Sequence, residues 1–129
     1  MRVIDPGHKY ALTHLDGEQE EILTFVKREG PGYPGNVGAY EGTNIQEVLR
    51  ALIDRLKYLD GQIHHLKNTY AISRLRQVIL DLEDRAAQRH NRYPAWMIAE
   101  SEIELMPVCR KCGHIGCRGT CHAKLYSKV

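Results

Sequence analysis

Residues 42–59 constrain the fold more than any other part of the chain, because their apolar side chains recur with the three-to-four spacing of an α-helix. The apolar positions on this spacing, continued one turn further, are Ile45, Val48, Leu49, Leu52, Ile53, Leu56, Leu59 and Ile63. Thr43 can cap the first turn through its hydroxyl, and Gln46 can bond back to the amide of Thr43. A helix with such a face needs another element to bury it.

A second helix is predicted to begin near Asn68 or Thr69, either of which can cap it, and to run past Ala87. Its apolar stripe consists of Ile72, Leu75, Ile79, Leu82 and Ala86. The connection between the helices, residues 60–67, is short, which favours an antiparallel two-helix hairpin. Two helices alone bury little apolar surface, so we expect strands and self-association to cover the remainder.

The amino-terminal part predicts a small antiparallel β element. The expected strands are residues 2–4, 10–15 and 22–28. Residues 5–7 and 16–17 have the composition of turns, and β-branched and aromatic residues flank the second of them. Residues 30–42 contain so many glycines and prolines that we expect a structured loop without regular elements.

The expected fold class is therefore α+β, with an antiparallel two-helix hairpin, a small amino-terminal β element and a carboxy-terminal zinc-binding tail. The expected divisions are a domain at 1–92 (β element 1–42, helical hairpin 43–92), a connector at 93–108 and a tail at 109–129.

Length and charge limit the class of protein. The 129 residues suffice for one domain with a small appendage, and a formal net charge of +2 does not by itself predict a nucleic-acid or membrane partner. No apolar run approaches the roughly 18 residues of a membrane span, and residues 1–10 lack the hydrophobic segment of a signal peptide. We expect a cytoplasmic protein without a membrane partner.

All four cysteines lie close together near the carboxyl end, so they cannot join distant parts of the fold. The spacing Cys109-x2-Cys112-x4-Cys117-x3-Cys121 fits four thiolates around one tetrahedral zinc ion, which would be structural and not hydrolytic. His114 and His122 stand beside the cysteines. A ligand set in which one of these histidines replaces a cysteine therefore stays open. The alternative is a set of thiols on a frayed tail.

Arginines on the predicted helices form a second group. They are Arg50 and Arg55 on the first helix and Arg74, Arg76, Arg85, Arg89 and Arg92 on the second. Guanidinium groups bind phosphates through paired hydrogen bonds, and Arg74 and Arg85 fall three turns apart on nearly one face. The alternative is a solvated surface, because Arg50 is four residues from Asp54 and Arg85 four from Asp81, the spacing of weak surface ion pairs.

The turn at residues 5–8 places His8 close to Tyr10, where both rings can stack on a base. The phrase VIDPGH also resembles the metal-binding start of zinc N-acetylmuramoyl-L-alanine amidases. In this chain Lys9 and Tyr10 replace the glycine pair that usually follows the histidine, and no second ligand is clearly placed. The alternative for His8 is a turn residue that is hydrogen-bonded to the backbone.

The runs GTNIQEVLRALIDRLKYL and YAISRLRQVILDLEDRAAQRH resemble the hairpin domain shared by phage anti-CBASS and Thoeris anti-defence sponge proteins. The segments DPGHKYALTHLDG and ILTFVKR are similar to the small β portion of the Thoeris-type members, so the resemblance covers residues 1–92. It implies a protein that is not an enzyme and that holds cyclic nucleotide signals intact, such as glycocyclic ADP-ribose and cyclic di- or trinucleotides. It also implies homo-oligomers, dimers or hexamers, with ligands between protomers in the host cytoplasm.

Such a function requires rings that stack on bases and donors that bind phosphates. The expected ligand-binding residues are His8, Tyr10, Tyr33, Tyr40, Thr43, Asn44, Arg74, Arg76, Arg85 and Arg89. Thr43 and Asn44 stand at a helix start, where unpaired amides and the positive end of the helix dipole favour an anion. The cysteine tail is not expected in the shorter members of the family.

Two other classes of protein stay open. Basic residues surround the cysteines, as in a zinc knuckle that binds nucleic acid. They are Arg110, Lys111, Arg118 and Lys124. An amidase-like or nucleotide-hydrolysing enzyme is the third alternative, although no carboxylate pair stands near a histidine at a useful spacing and His64 and His65 fall in the helix connection.

Overall fold

A computed structural model of the protein describes residues 1–31, 37–89, 102–115 and 117. The chain divides into two compact units, Met1–Ile45 and Gln46–Val129, which we call the β unit and the helical unit. Two α-helices and two small antiparallel sheets lie within the described residues. The α+β class predicted from the sequence is therefore confirmed.

Five strands are present in the described part of the β unit. They are β1 Arg2–Asp5, β2 Lys9–Thr13, β3 Glu20–Thr24, β4 Lys27–Glu29 and β5 Val37–Tyr40. The first three form an antiparallel sheet in the order β1-β2-β3, and β4 pairs with β5 in a second sheet. The turn between β2 and β3 contains Asp16 with a φ of 61°, a left-handed conformation that Asp tolerates better than most residues.

Strand β5 corrects the expectation that residues 30–42 contain no regular element. Residues 37–40 pair with β4, and Lys27 stands opposite Tyr40 in the register. Gly38 does not prevent this pairing, because it lies on an exposed strand with no atom near the position of a Cβ. The proline at position 31, which cannot donate to a ladder, comes before the strand.

After β5 the chain passes directly against the segment that joins β3 to β4. The amide of Thr43 donates to the carbonyl oxygen of Thr24 at 2.9 Å, and the amide of Val26 donates to the carbonyl oxygen of Thr43 at 3.0 Å. A Cβ at Gly42 would lie 2.5 Å from the backbone carbon of Phe25. Glycine is therefore required at position 42 by the close approach of two backbone segments.

Helix α1 spans Ile45–Gln62, so it ends later than the predicted Leu59. The predicted bond from Gln46 back to the amide of Thr43 is wrong, because that amide donates to Thr24 and the side chain of Gln46 lies beside the ring of His114. The buried residues of α1 are Gln46, Arg50 and Ile53. Their spacing is that of one helical face, and two of the three are polar.

Helix α2 spans Leu66–Arg89 and starts before Asn68 and Thr69, the caps that the sequence predicts. His65 takes the capping role, because its Nδ1 accepts the amide of Lys67 at 3.0 Å. The buried residues of α2 are Ile79, Glu83, Ala86 and Ala87. The predicted apolar stripe is thus present, and it includes a glutamate.

The core of the helical unit joins four segments. Its buried members are Ile53 of α1, Ile79 of α2, Ile103 of the 3-10 turn Ile103–Leu105, and Ile115. Full burial of such a side chain contributes about 1.5–3 kcal/mol relative to exposure. Residues 102–108, which the sequence places in a connector, therefore supply part of the core, together with the segment that carries the cysteines.

Asp60 organises the three-residue connection between α1 and α2. Its Oδ1 accepts the amide of His65 at 2.9 Å and the side-chain amide of Asn68 at 3.1 Å, and its Oδ2 lies 3.1 Å from Nδ1 of His64. The hydrogen bond from the backbone of His65, followed by those from the other two side chains, lowers the pKa of Asp60 to about 2. The ionised carboxylate thus stabilises the connection.

We predict that Asp60→Asn flattens the pH dependence of stability in acid. The pKa of Asp60 in the folded protein is about 2, below the ordinary value of about 3.9 for an unfolded chain. Its contribution is therefore present above about pH 4 and is lost as the pH falls toward about 2. Urea midpoints followed by circular dichroism should decline less steeply over this window in the variant. Asp54→Asn, which changes an exposed carboxylate of α1, should keep the wild-type slope.

Candidate functional site

Three cysteines of the carboxy-terminal segment form a compact cluster. The Sγ atoms of Cys109, Cys112 and Cys117 all lie within 4.8 Å of one another. Thiolates bound to one zinc ion at about 2.3 Å stand roughly 3.8 Å apart in a tetrahedron, so only small movements separate this cluster from a bound state. Cys117 is fully buried, whereas Cys109 and Cys112 are partly exposed. These three thiols can hold a metal ion.

The backbone brings the first two cysteines together in a tight loop. The amide of Gly113 donates to the carbonyl oxygen of Cys109 at 2.7 Å, and the amide of Cys109 donates to the carbonyl oxygen of His114 at 3.1 Å. Gly113 has a φ of 78°, which a residue with a Cβ rarely adopts. The C-x2-C-G sequence therefore folds the loop in a way that places both thiols on one side.

The segment that carries the three cysteines, residues 109–115 and 117, is here called the cysteine loop. It is hydrogen-bonded to a buried carboxylate of α2. Glu83 is 1% exposed, and its Oε1 accepts the amide of Ile115 at 3.2 Å. Its Oε2 lies 3.1 Å from Nδ1 of His114, and because a carboxylate only accepts, Nδ1 carries the proton in this contact. The side-chain NH2 group of Gln46 lies 3.2 Å from the same ring nitrogen, but it is also a donor, so this contact is not a hydrogen bond when Nδ1–H points at Glu83. The loop is thus hydrogen-bonded to α2 and lies beside α1.

The remaining predicted ligands are only partly described. Among the described residues, the potential ligand atoms that lie together are the three thiols alone. His114, whose Nδ1 faces Glu83, is outside this set. The predicted fourth ligand Cys121 and the alternative His122 lie outside the described residues.

Arg50 is the most unusual polar residue of the helical unit. The sequence spacing suggests a solvated pair with Asp54, but the side chain of Arg50 is only 7% exposed. Its three guanidinium nitrogens have no hydrogen-bond partner within the described structure, and the nearest carboxylate oxygen, of Glu47, is 3.9 Å away. A buried charge without hydrogen bonds is costly, so it calls for an explanation.

Arg76, an expected phosphate ligand, is paired within the protein. Its Nε and Nη2 donate to the two carboxylate oxygens of Glu104 at 2.9 and 2.5 Å, and this pairing raises the pKa of Arg76. Burial is the largest influence on Glu104 and opposes its ionisation, but the hydrogen bonds from Arg76, a backbone hydrogen bond and the positive charges of Arg76 and Lys57 together outweigh it and lower the pKa of Glu104. Lys57 lies 3.6 Å from the same carboxylate. Arg76, Lys57 and Ile103 are among the residues that line a groove of about 450 Å³.

The other expected arginines lie on the exposed surface of α2. The guanidinium of Arg74 is 5.9 Å from the centre of the Tyr70 ring. Arg85 and Arg89 are exposed, and Asp81, the expected partner of Arg85, instead accepts a hydrogen bond from Gln77 at 3.0 Å. Arg92 lies outside the described residues.

A cluster around Tyr40 brings two predicted residues together in the β unit. The phenol of Tyr40 donates to Oδ2 of Asp5 at 2.6 Å, and the ring of His8 stands edge-on to it with centroids 6.5 Å apart. Lys9 Nζ is 4.7 Å and Lys27 Nζ 5.6 Å from the centre of the Tyr40 ring. Desolvation and then the bond to Asp5 raise the pKa of Tyr40 to about 12. The cluster thus presents two ammonium groups beside aromatic rings.

The remaining predicted residues of the β unit do not join this cluster. Tyr10 packs edge-on against Phe25, with ring centroids 6.0 Å apart. The amide of Thr43, expected to attract an anion, already bonds to Thr24, and Asn44 is half-buried. Tyr33 lies outside the described residues.

Arg50 is among the arginines predicted on the helices but not among the expected ligand-binding residues, and Glu83 is not predicted as a site residue at all. Both were detectable in principle, because each interrupts an apolar stripe at a position that faces the core. Arg50 is three residues before Ile53, and Glu83 is four residues after Ile79 and three before Ala86. A charged residue within the buried spacing of a helix is informative, whereas a charged residue elsewhere on the surface is not.

By its described residues the chain is an α+β protein with two helices, small antiparallel sheets and a three-cysteine cluster near the carboxyl end. Comparison with protein-family models, with curated proteins and with solved structures finds no match. Neither described helix combines the length and the apolar character that crossing a membrane requires.

We predict that Tyr40→Phe raises the pKa of Asp5. The hydrogen bond from Tyr40 is the largest cause that lowers the pKa of this carboxylate, followed by the hydrogen bond from Lys27. Carbon-detected NMR titration of the Asp5 carboxyl should therefore show a midpoint nearer to the ordinary Asp value. Tyr58→Phe, which removes an exposed phenol of α1, serves as the control, and an unchanged Asp5 midpoint in Tyr40→Phe would refute the proposed coupling.

Proposed function

We propose that the protein is a homo-oligomeric sponge that binds cyclic nucleotide immune signals, glycocyclic ADP-ribose or cyclic di- and trinucleotides, and does not cleave them. Residues 1–92 carry the resemblance to anti-defence sponges, and we take the two helices to form the hairpin of that family. The protein then acts against host defence in the cytoplasm of the infected cell.

The observation that carries this proposal is the buried guanidinium of Arg50, which makes no hydrogen bond and has only the distant carboxylate of Glu47 at 3.9 Å. Three nitrogens withdrawn from water without a hydrogen bond are destabilising unless an anion completes the site. A phosphate matches a guanidinium in charge and in paired hydrogen-bond geometry. Arg50 therefore adds a phosphate-binding candidate to the arginines of α2 that the resemblance suggests.

The Tyr40 cluster supports nucleotide binding independently. Lys9 and Lys27 supply two positive charges, of which Asp5 balances one through its 3.0 Å contact with Lys27. The rings of His8 and Tyr40 offer the aromatic surface on which bases stack. This combination of rings and ammonium groups is suited to a base attached to a phosphate.

An exposed apolar stripe on α1 supports assembly with further copies of the chain. Ile45, Leu52 and Leu59 are spaced by seven residues and are 48%, 46% and 38% exposed. A seven-residue repeat keeps one seam of a helix toward a partner helix, so the stripe can pair with the same stripe of a second copy. We propose that this seam contributes to a dimer or a hexamer.

We further propose that the metal of the cysteine cluster is a structural zinc ion. Cys109, Cys112 and Cys117 supply three thiolates, and Cys121 is the proposed fourth ligand. Four thiolates close the coordination shell and leave no position for a hydrolytic water. The tail then stabilises the protein and does not catalyse a reaction.

The first test is ligand capture. The protein is incubated with glycocyclic ADP-ribose isomers and cyclic di- and trinucleotides, freed of unbound ligand and heat-denatured, and the released molecules are identified by mass spectrometry. We expect intact ligand. A cleaved product would mean an enzyme. No retained ligand, combined with salt-sensitive binding of single-stranded nucleic acid, would favour the alternative of a zinc knuckle with Arg110 and Lys111 on its surface.

Arg50→Met provides the matching variant. We expect the dissociation constant of the captured ligand to rise at least ~10-fold, because charge-assisted hydrogen bonds contribute roughly 1.5–3 kcal/mol. Stability should stay equal or rise, since an apolar side chain of similar volume replaces a buried guanidinium that makes no hydrogen bond. Arg55→Met, on the exposed side of α1, should change neither quantity. Unchanged affinity in Arg50→Met would exclude Arg50 from the site.

We predict that Leu52→Glu weakens self-association. The substitution places like charges opposite each other in a seam formed by two copies of α1. Light scattering after size-exclusion chromatography should show a lower mass at equal concentration. Leu15→Glu, which adds the same charge at an 86% exposed turn, should leave the mass unchanged. Equal masses for wild type and Leu52→Glu would place the oligomer contact elsewhere.

A further inference from the structure

The cysteine loop contributes to the fold of the helical unit, although it stands at the end of the sequence. Ile115 is 5% exposed and belongs to the same buried cluster as Ile53 of α1 and Ile79 of α2. The cysteines stand on both sides of this residue, with Cys112 before it and Cys117 after it. The loop conformation that gathers the thiols also presents Ile115 to the core.

Glu83 is the polar counterpart of this apolar contact. Its side chain is fully buried, and its two oxygens are used by two successive residues of the loop, Ile115 through the amide and His114 through the ring. A buried carboxylate is tolerated only when donors surround it. If the loop undocked, Glu83 would lose both of these donors.

The loop therefore carries two sets of groups, the three thiols and the two donors that bond to Glu83. Outer partners that orient a metal-binding loop raise metal affinity, because less conformational freedom is lost when the metal binds. Conversely, a metal ion that fixes the conformation of the loop stabilises the folded state in which the loop packs against the helices, because metal binding and folding are linked.

We propose that Glu83 is a positioning residue through which metal binding at Cys109, Cys112 and Cys117 is coupled to the stability of α1 and α2. The inference rests on the metal site proposed above, and it adds that the ion locks the helical unit through a carboxylate that is not a ligand. His114 transmits this coupling by bonding to Glu83 of α2 while it lies beside Gln46 of α1.

The experiment uses the full chain, with Zn²⁺ as the probe. Native mass spectrometry gives the number of bound ions, competition with a chromogenic chelator gives the affinity, and circular dichroism in the far ultraviolet gives helix melting with Zn²⁺ and with chelator. In the wild type, Zn²⁺ should raise the melting temperature. In Glu83→Gln, we expect zinc affinity to fall roughly 10-fold, the lower end of the effect of partners bonded to the ligands themselves, because Glu83 bonds to the loop and not to a ligand. The rise in melting temperature should shrink.

Asp81→Asn is the matched control, because it removes one negative charge from the exposed side of the same helix and should keep the affinity and the rise of the wild type. Cys112→Ser should abolish the rise. His114→Phe, which removes one of the two donors to Glu83 and keeps all the cysteines, should lower zinc affinity by a smaller factor, and it tests the same link if Glu83→Gln does not fold.

The coupling would be overturned if Glu83→Gln lowered the melting temperature but kept the wild-type zinc affinity and the full rise in melting temperature with Zn²⁺. Glu83 would then have a merely structural role. A full rise in Cys112→Ser would also overturn it, since the ion would then act elsewhere. Absence of zinc binding in the wild type would remove both this inference and the proposed metal, but it would leave ligand capture as a separate result.

Discussion

A carboxylate without access to water organises the helical unit. Glu83 lies within the apolar stripe of α2, where an ionised group is tolerated only with donors at both oxygens. The amide of Ile115 and the ring of His114 supply them, from a segment about thirty residues further along the chain. Satisfying one buried charge thereby determines where the cysteine loop docks, and the docked loop completes the core with Ile115.

The two buried charges of the helices differ in how they are compensated. Glu83 has its hydrogen-bond donors within the chain, whereas the guanidinium of Arg50 has no hydrogen-bond acceptor among the described residues. A buried carboxylate with hydrogen-bond donors at both oxygens, as at Glu83, is what a structural role requires. The arrangement at Arg50 leaves a buried guanidinium without hydrogen bonds, and this is the reason for which we propose that an anion binds there.

Much of the fold could be predicted from the sequence, because periodicity depends on the residues themselves. Both helices, the paired strands around residues 16–17 and the clustering of Cys109, Cys112 and Cys117 follow from local spacing. Strand β5 could not be predicted, because its pairing with β4 overrides a composition rich in glycine.

The site residues could be predicted less well, because their contacts are not determined by local sequence spacing. The pairing of Arg76 with Glu104 and the burial of Arg50 depend on contacts between residues far apart in sequence. The four-residue spacing of Arg50 and Asp54 suggested an ion pair on the surface. Spacing alone does not show which face of α1 is buried by other segments. Charged residues within an apolar stripe are the local signal that would have corrected this.

The close approach at Gly42 bears on how the chain can diverge. Backbone atoms of Phe25 and Thr24 stand where any Cβ at position 42 would lie, so no rotamer or flexible neighbour can relieve the clash. Drift in sequence elsewhere leaves this crossing intact, but a replacement at 42 requires the path from β5 to α1 to be rebuilt. The residue at position 42 therefore indicates whether another chain can have the same backbone path at this crossing. A distant chain with glycine at this point can share the crossing, and one with any other residue must follow a different route.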